Sequence, residues 1–333
     1  MKLMCVGDIN LGEYYPSFGH GPKAFANSGY VFSAVQPLFD QSDIVIGNLE
    51  APITHRNIHD NEAENSVLKV DPDHANALKK AGFDILQVAN NHTVQHSNEG
   101  FDDTISALKE LGIRPVGLHE QEPVVIEREG LTVGFMAASD VPDNTNKSQS
   151  KYQRLDDQFI AKVKAEAPKY DHFIVMFHWG LEASTKPLPY QRKLAQELYS
   201  SGVSAIIGSH PHLFYEIEKR ENFICAYSLG NFVFDLCWDK KMLNSGILEL
   251  NLSREKLSGE LHYADIKQNG CLPTPTKRID SIEKTLVPYD LGDRMGLQQI
   301  RKVMYLLLNL HKGNTKLKIQ FFAQKVSKLF RAT

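Results

Sequence analysis

Seven short apolar runs, most of them rich in β-branched residues, alternate with helix-like stretches over the first 250 residues of the chain. They are Leu3–Val6, Ile44–Ile46, Ile85–Val88, Leu131–Ala137, Phe173–Phe177, Val203–Ile207 and Ile224–Tyr227. Brief apolar runs of this kind read as strands buried on both faces. Between them, Ile105, Leu108 and Leu111 make one apolar helical face, and Leu194, Ala195 and Leu198 make another. The alternation predicts an α/β layered fold. Several runs stop at polar turns: Gly7-Asp8, Gly47-Asn48, Asn90-Asn91-His92, His178-Trp179-Gly180 and Gly208-Ser209-His210. Ligands in α/β folds bind beyond the carboxyl ends of strands, so these turns can converge on one site.

The chain has 333 residues, 42% hydrophobic and 23% charged, which excludes wholesale disorder, collagen-like repeats and a coiled-coil rod. Residues 140–155 are polar and aperiodic and read as a loop, and 247–266 read as later strands of the same domain. The expected organisation is a domain over 1–268, an irregular connector over 269–294 marked by Pro273, Pro275 and Pro288, and a basic amphipathic helical tail over 295–333. In the tail, Ile300, Val303, Met304, Leu307 and Leu308 follow helical spacing, and after Gly313-Asn314 so do Ile319, Phe322, Val326, Leu329 and Phe330. The lysines fall largely off those stripes.

The formal net charge is −3, but the tail carries eight Lys or Arg and no Asp or Glu, which leaves −11 on the residues before it. Two roles fit such a tail: helices packed on the domain with lysines facing water, or peripheral attachment to an anionic membrane. Nucleic acid is not an expected partner, because the rest of the chain is acidic and no nucleic-acid module is recognisable. Only Leu3 to Gly7 separate Lys2 from Asp8, too short for the apolar core of a signal peptide. The run Val303–Leu308 falls far below the roughly 18–20 residues that span a bilayer. A cytoplasmic location is expected, with peripheral attachment at the inner membrane face as the second reading. Cys5, Cys225, Cys237 and Cys271 form no CxxC pair, and Cys5 and Cys225 sit in strand-like runs, so reduced core thiols are expected.

The strand-end residues form a chemically coherent set. Asp8 and Asn10 follow the first run, Asn48 and Glu50 the second, Asn91 and His92 the third, His178 a later one, and His210 and His212 the next. Carboxylates, amide oxygens and imidazoles without thiolates suit divalent Mn, Fe or Zn. The candidates outnumber the ligands of one tetrahedral ion. Two ions sharing a ligand would use them, activating a water and neutralising charge on an attacked phosphoryl group. His92 is the best-placed free imidazole for proton donation. Taken singly, Asp8 also reads as a helix N-cap and Asn91 and His92 as turn residues; His210-Pro211-His212 is harder to explain that way. Trp179 reads as a core aromatic. Glu182 reads as an orienting carboxylate or a surface residue. The other histidines, His20, His55, His59, His74, His96, His119, His172, His262 and His311, are expected to be exposed, with His55, His59 and His96 in loops near the motifs.

Gly7-Asp8, Gly47-Asn48-Leu49-Glu50, Ala89-Asn90-Asn91-His92, His178-Trp179-Gly180-Leu181-Glu182, Gly208-Ser209-His210-Pro211-His212 and Tyr227-Ser228-Leu229-Gly230-Asn231-Phe232 resemble the ordered motifs of the CapA/PgsA family of bacterial capsule and poly-γ-glutamate synthesis proteins, within the calcineurin-like metallophosphoesterase superfamily. The resemblance covers roughly residues 3–250. It implies a four-layer α/β/β/α sandwich with a C-terminal helical extension and a dinuclear metal site. By position, it implies Asp8 and His212 as ligands of the first ion, Asn91, His178 and His210 as ligands of the second, and His92 as the catalytic imidazole. The chain departs from the wider superfamily in carrying Asn10 where Asp-x-His is usual and Asn48 where a bridging Asp is usual. An anionic bridge then falls to Glu50, because a carboxylate suits a position between two cations better than an amide. Gln95 stands where CapA-like sequences tend to carry an acid.

Three functions are compatible with this set. The first is a metal-dependent hydrolase, most simply of a phosphoester, acting in capsule or exopolymer synthesis. The second is a non-catalytic or weakly catalytic accessory protein of a membrane-associated polymer synthesis or export complex, attached through the tail. The third is hydrolysis of a γ-linked amide.

Overall fold

A computed structural model describes residues 1–292 and 297–331. In chain order the strands are β1 (Lys2–Ile9), β2 (Ile44–Leu49), β3 (Phe83–Gln87), β4 (Arg114–Val116), β5 (Val124–Arg128), β6 (Leu131–Ser139), β7 (His172–His178), β8 (Ala205–Ser209), β9 (Ile217–Arg220), β10 (Phe223–Ala226), β11 (Asn231–Val233), β12 (Asn244–Leu252), β13 (Leu257–Lys267) and β14 (Leu272–Ser281). They form two sheets. One runs β14-β13-β12-β1-β2-β3-β4, with β11 also pairing with β1, and the other runs β5-β6-β7-β8-β10-β9. β1, β2, β3 and β4 are mutually parallel, as are β6, β7, β8 and β10, while β12, β13 and β14 form an antiparallel meander.

Alternation along each strand builds the layers. Leu3 and Cys5 of β1, Ile44 and Ile46 of β2, and Ile85 of β3 share one core with Phe135 of β6, Ile174 and Met176 of β7, and Ile207 of β8. The sheets therefore pack face to face. The intervening residues, Met4, Val6, Val45 and Leu86 on one sheet and Phe173, Val175 and Phe177 on the other, point away from that core toward helices. The Ser97–Glu110 helix buries Phe101 and Leu108, the Asp157–Glu166 helix sets Phe159 against Phe177, and the Pro189–Tyr199 helix sets Tyr199 against Phe223. The result is the expected α/β/β/α sandwich.

Residues 272–281 correct the expected connector: they are β14, paired with β13 through Ala264↔Pro275 and Ile266↔Pro273. The prolines read as breakers, yet β14 is an edge strand, where a missing N–H can face outward without breaking a ladder bond. Asp293 to Gly296, where the connector was expected to meet the tail, lie outside the described residues.

The tail forms two helices, Gln298–Leu308 and Thr315–Arg331. Their orientation differs from the packing that the apolar stripes suggest. Lys302 lies over the rings of Tyr14, Tyr15 and Trp238 and donates to Tyr14 Oη at 3.0 Å. Lys318 is buried and donates to the carbonyls of Asn309 and Lys312. Arg301 pairs with Asp239. Leu306, Leu317 and Phe321 supply the apolar part of the contact, Phe321 stacking on Tyr15. The aromatic surface presented by Tyr14, Tyr15 and Trp238 favours a cation at its face, so a lysine-bearing side of the helix turns inward. The stripe Ile300, Val303, Met304, Leu307 and Leu308 faces solvent, each residue between 47% and 68% exposed.

Candidate metal centre

The site gathers at the carboxyl ends of β1, β2, β7 and β8 and in the turns after β3 and β8. Two close backbone approaches make that possible. A Cβ on Gly7 would meet the Gly230 carbonyl oxygen at 1.9 Å, and one on Gly208 would meet that of Tyr227 at 2.1 Å. With glycine at position 7, β1 lies against β11 and Asp8 N donates to Gly230 O at 3.0 Å. The turn after β8 is strained: His210 and His212 have φ of +96° and +57°. Such conformations cost non-glycine residues on the order of 1–3 kcal/mol each and concentrate at functional sites.

The structure brings Asp8, Asn48, Glu50, Asn91, His92, His178, His210 and His212 together, all buried. Within this cluster, two groups have donor atoms within 4.8 Å of one another: Asp8, Glu50 and His212, and Glu50, His178 and His210. Glu50 belongs to both. Its Oε1 is buried without a hydrogen-bond partner, yet lies 3.7 Å from His178 Nε2, 3.7 Å from His212 Nε2 and 3.9 Å from His92 Nε2. His210 Nδ1 is likewise buried and unpartnered. Burial and then the neighbouring Asp8 carboxylate push the Glu50 carboxyl well above the ordinary range. With Glu50 Oε1 and His210 Nδ1 left unpartnered among two carboxylates and several imidazoles, the cluster suits cations between them, because an unpaired buried polar group is otherwise costly.

The imidazoles differ in electrostatics. Burial and the surrounding histidines hold His178 well below its ordinary value, and burial pulls His210 down to about 4. Burial pulls hardest at His212, but the hydrogen bond to Asp8 at 3.2 Å, the charges of Asp8 and Glu182 and the bond to Asn231 together outweigh it and raise the imidazole. Burial lowers His92 against the opposing pull of Gln95, whose Oε1 lies 2.8 Å from His92 Nδ1. Neutral imidazoles are the form that ligates a cation.

Asn91 Oδ1 lies 2.8 Å from His178 Nε2. Asn48 presents its amide nitrogen to Asp8 at 2.8 Å and to Glu50 at 3.4 Å, and its oxygen accepts from Asn90. In that orientation its nitrogen, not its oxygen, faces the two carboxylates. Asn10 turns away from the centre: its amide donates to Asp235 and its oxygen accepts from Gly12 N. Glu182 lies in the turn after β7. It is exposed, and although desolvation by its neighbours works against ionisation, His212, His210 and His92 hold its carboxyl below the ordinary range.

Several further residues contact the centre that the sequence does not single out as donors. Asn231 Oδ1 lies 2.9 Å from His212 Nδ1, and Ser209 Oγ lies 3.1 Å from His178 Nδ1. Asn144, in the loop expected over 140–155, reaches back to His92 while its N–H donates to Asn91 O. Asn231 sits in a motif of the resemblance, which could have marked it; Asn144 sits in a polar stretch with no signal. Trp179 is buried and donates to Tyr227 O at 2.9 Å, a core role. Of the histidines expected at the surface, His96 and His172 are buried. His96 Nε2 lies 2.8 Å from Val67 O while its Nδ1 is buried without a partner, and His172 Nε2 lies 2.7 Å from Ser253 O.

Residues 2–236 match the family described as bacterial capsule synthesis protein PGA_cap. The chain belongs to this family. Among relatives of this capsule synthesis family, the PGA biosynthesis protein CapA of Bacillus subtilis is 28% identical over 292 residues, covering 85% of this chain and 75% of that protein. The capsule biosynthesis protein CapA of Bacillus anthracis is 32% identical over 266 residues, covering 72% of this chain and 61% of that protein. Among solved structures, a 5'-nucleotidase of Candida albicans aligns over 81% of this chain and 52% of its own, at 11% identity and a TM-score of 0.47. The matched residues 2–236 take in every strand-end motif and stop before β12.

Proposed function

We propose that this chain is a metal-dependent hydrolase, phosphoesterase-like in chemistry, that acts in the synthesis of a capsule or exopolymer such as poly-γ-glutamate. The observation that carries this reading is Glu50 Oε1, buried without a partner and facing three imidazole nitrogens at 3.7–3.9 Å. Asp8, Glu50 and His212 would hold one divalent transition ion, and Glu50, His178, His210 and Asn91 a second, with Mn, Fe or Zn suited to these donors. Bound there, the two ions would supply Lewis-acid polarisation of a phosphoryl oxygen and activation of water.

The chain's own residues do the rest. Asn48 ties Asp8 and Glu50 together through its amide. Asn231 holds His212, and Ser209 holds His178, so that each imidazole keeps one tautomer. Gln95 fixes His92 at Nδ1, which leaves Nε2 to exchange a proton with the leaving oxygen. Glu182 adds negative charge beside the histidines. The substrate is a phosphoester or a polymer-related compound, and a polymer synthesis complex is the expected partner.

The orientation of Asn48 and the engagement of Asn10 with Asp235 favour a second reading, in which cation binding is weak and the chain serves as an accessory protein of a polymer synthesis or export complex. One experiment separates them. The protein is stripped, reloaded with Mn, and assayed for metal content and for hydrolysis of an aryl phosphodiester and a γ-glutamyl peptide. The hydrolase predicts about two equivalents of metal, turnover of the phosphodiester, and loss of both in His210→Ala/His212→Ala. Metal content below about half an equivalent, or full loading without turnover of either compound, rejects the hydrolase in favour of the accessory protein. Turnover of the peptide alone reassigns the bond cleaved.

A further inference from the structure

Chains that fold alone seldom leave a run of large apolar side chains uncovered. Here the exposed ones concentrate on the last two helices. On the Gln298–Leu308 helix they are Ile300, Val303, Met304, Leu307 and Leu308, and on the Thr315–Arg331 helix Ile319 and Phe322 are each about half exposed. The stripe is not a consequence of absent packing. The opposite sides of both helices are committed to the domain through Lys302 and Phe321, with Leu306 and Leu317 buried beside them. The apolar sides are therefore held outward by a contact that orders the helices.

The charge that the tail itself carries is of one sign, and acids approach it from the neighbouring Glu62–Ser66 helix. Met295 to Thr333 contains no Asp or Glu. Lys312 and Lys316, in and just after the turn between the helices, are exposed. No helix among the described residues is long and apolar enough to cross a membrane. An ordered helix with an uncovered apolar side, flanked by lysines and too polar to insert across a bilayer, matches a surface that lies in the headgroup region of anionic lipid. A protein partner would also cover apolar side chains, but the absence of any acid over the whole tail favours an extended anionic surface over a mixed-charge interface.

We propose that the outward sides of the last two helices dock the protein on an anionic bilayer surface, apolar side chains entering the interface and lysines meeting the headgroups. The docking is independent of hydrolysis at the metal centre. Co-sedimentation of the full chain with vesicles tests it, comparing phosphatidylcholine alone with about 30% phosphatidylglycerol. The protein is expected to pellet with the second and not the first, and to be released as salt rises. Ile300→Asp/Leu307→Asp is expected to weaken the partition at least about tenfold, since each lost apolar contact and each added anion opposes interfacial binding. Lys312→Glu/Lys316→Glu should weaken it by a similar factor, each basic residue near such a surface contributing about fivefold. All four positions are exposed, so an unchanged melting temperature in both variants is expected and separates docking from folding. Equal partition to both vesicles, no partition to either, or full binding by Ile300→Asp/Leu307→Asp would overturn the proposal. So would a dimer in light scattering that this variant dissolves, because a second copy would then be what covers the face.

Discussion

Replacing Glu50 by Gln should move stability in opposite directions with and without metal. In the metal-free protein the Glu50 carboxyl is fully buried beside Asp8, with Oε1 unpartnered. Burial holds its pKa well above the ordinary 4.5. A carboxyl whose folded value exceeds its unfolded one stabilises fully below the unfolded value and loses that contribution as pH rises through the folded one. At neutral pH the metal-free protein therefore bears a cost, and a neutral isostere removes on the order of 2 kcal/mol of it. Unfolding entropy for a chain of 333 residues is about 0.7 kcal/mol/K, so Glu50→Gln should melt about 3 °C higher in chelator. With Mn the order reverses. Saturating metal at about a thousand times Kd adds about 4 kcal/mol to wild type, or about 6 °C, and little to a variant without the shared carboxylate. Differential scanning fluorimetry in chelator and in Mn reads both numbers. A Glu50→Gln protein that melts lower in chelator and still shifts with Mn would refute the assignment of Glu50 as the shared anion.

Two further outcomes follow from the fold around the site. Gly7→Ala places a Cβ 1.9 Å from the Gly230 carbonyl oxygen, so β1 and β11 must separate; the variant should be recovered mainly as insoluble protein or melt many degrees lower, as solubility and scanning calorimetry will show. His96 is buried with its pKa drawn down to about 4 by burial, so it favours folding above its unfolded value of 6.5 and loses that contribution as pH falls toward 4, a span of about 3 kcal/mol. Urea unfolding at several pH values should show a flatter acid limb in His96→Gln than in wild type, and identical limbs would exclude His96 as a source of acid lability.

The layered fold was legible because parallel strands buried on two faces leave dense apolar runs, and those runs survive in this chain with few interruptions. The centre was legible because its donors sit at the ends of those runs, where polar residues have no packing role. What escaped has physical reasons. β14 hid behind Pro273 and Pro275, which exclude a central strand but not an edge. The tail stripes have the right period for helices, but periodicity cannot say which side faces the domain; that was decided by Tyr14, Tyr15 and Trp238, far away in sequence, which take up Lys302. His96 and His172 are each held at Nε2 by the carbonyl of a residue distant in sequence, and Asn144 reaches His92 from a stretch without pattern. In each case the missing information is a long-range contact.

The prolines also bear on how copies of this protein meet. The larger sheet ends in β14 at one side and β4 at the other, and each of these strands contains proline: Pro273 and Pro275 in β14, Pro115 in the three-residue β4. A strand lacking N–H groups is a poor template for another strand. Neither border of that sheet invites growth by a neighbouring molecule, even when the protein is crowded. Copies drawn to the same place can therefore be concentrated without pairing through the borders of this larger sheet.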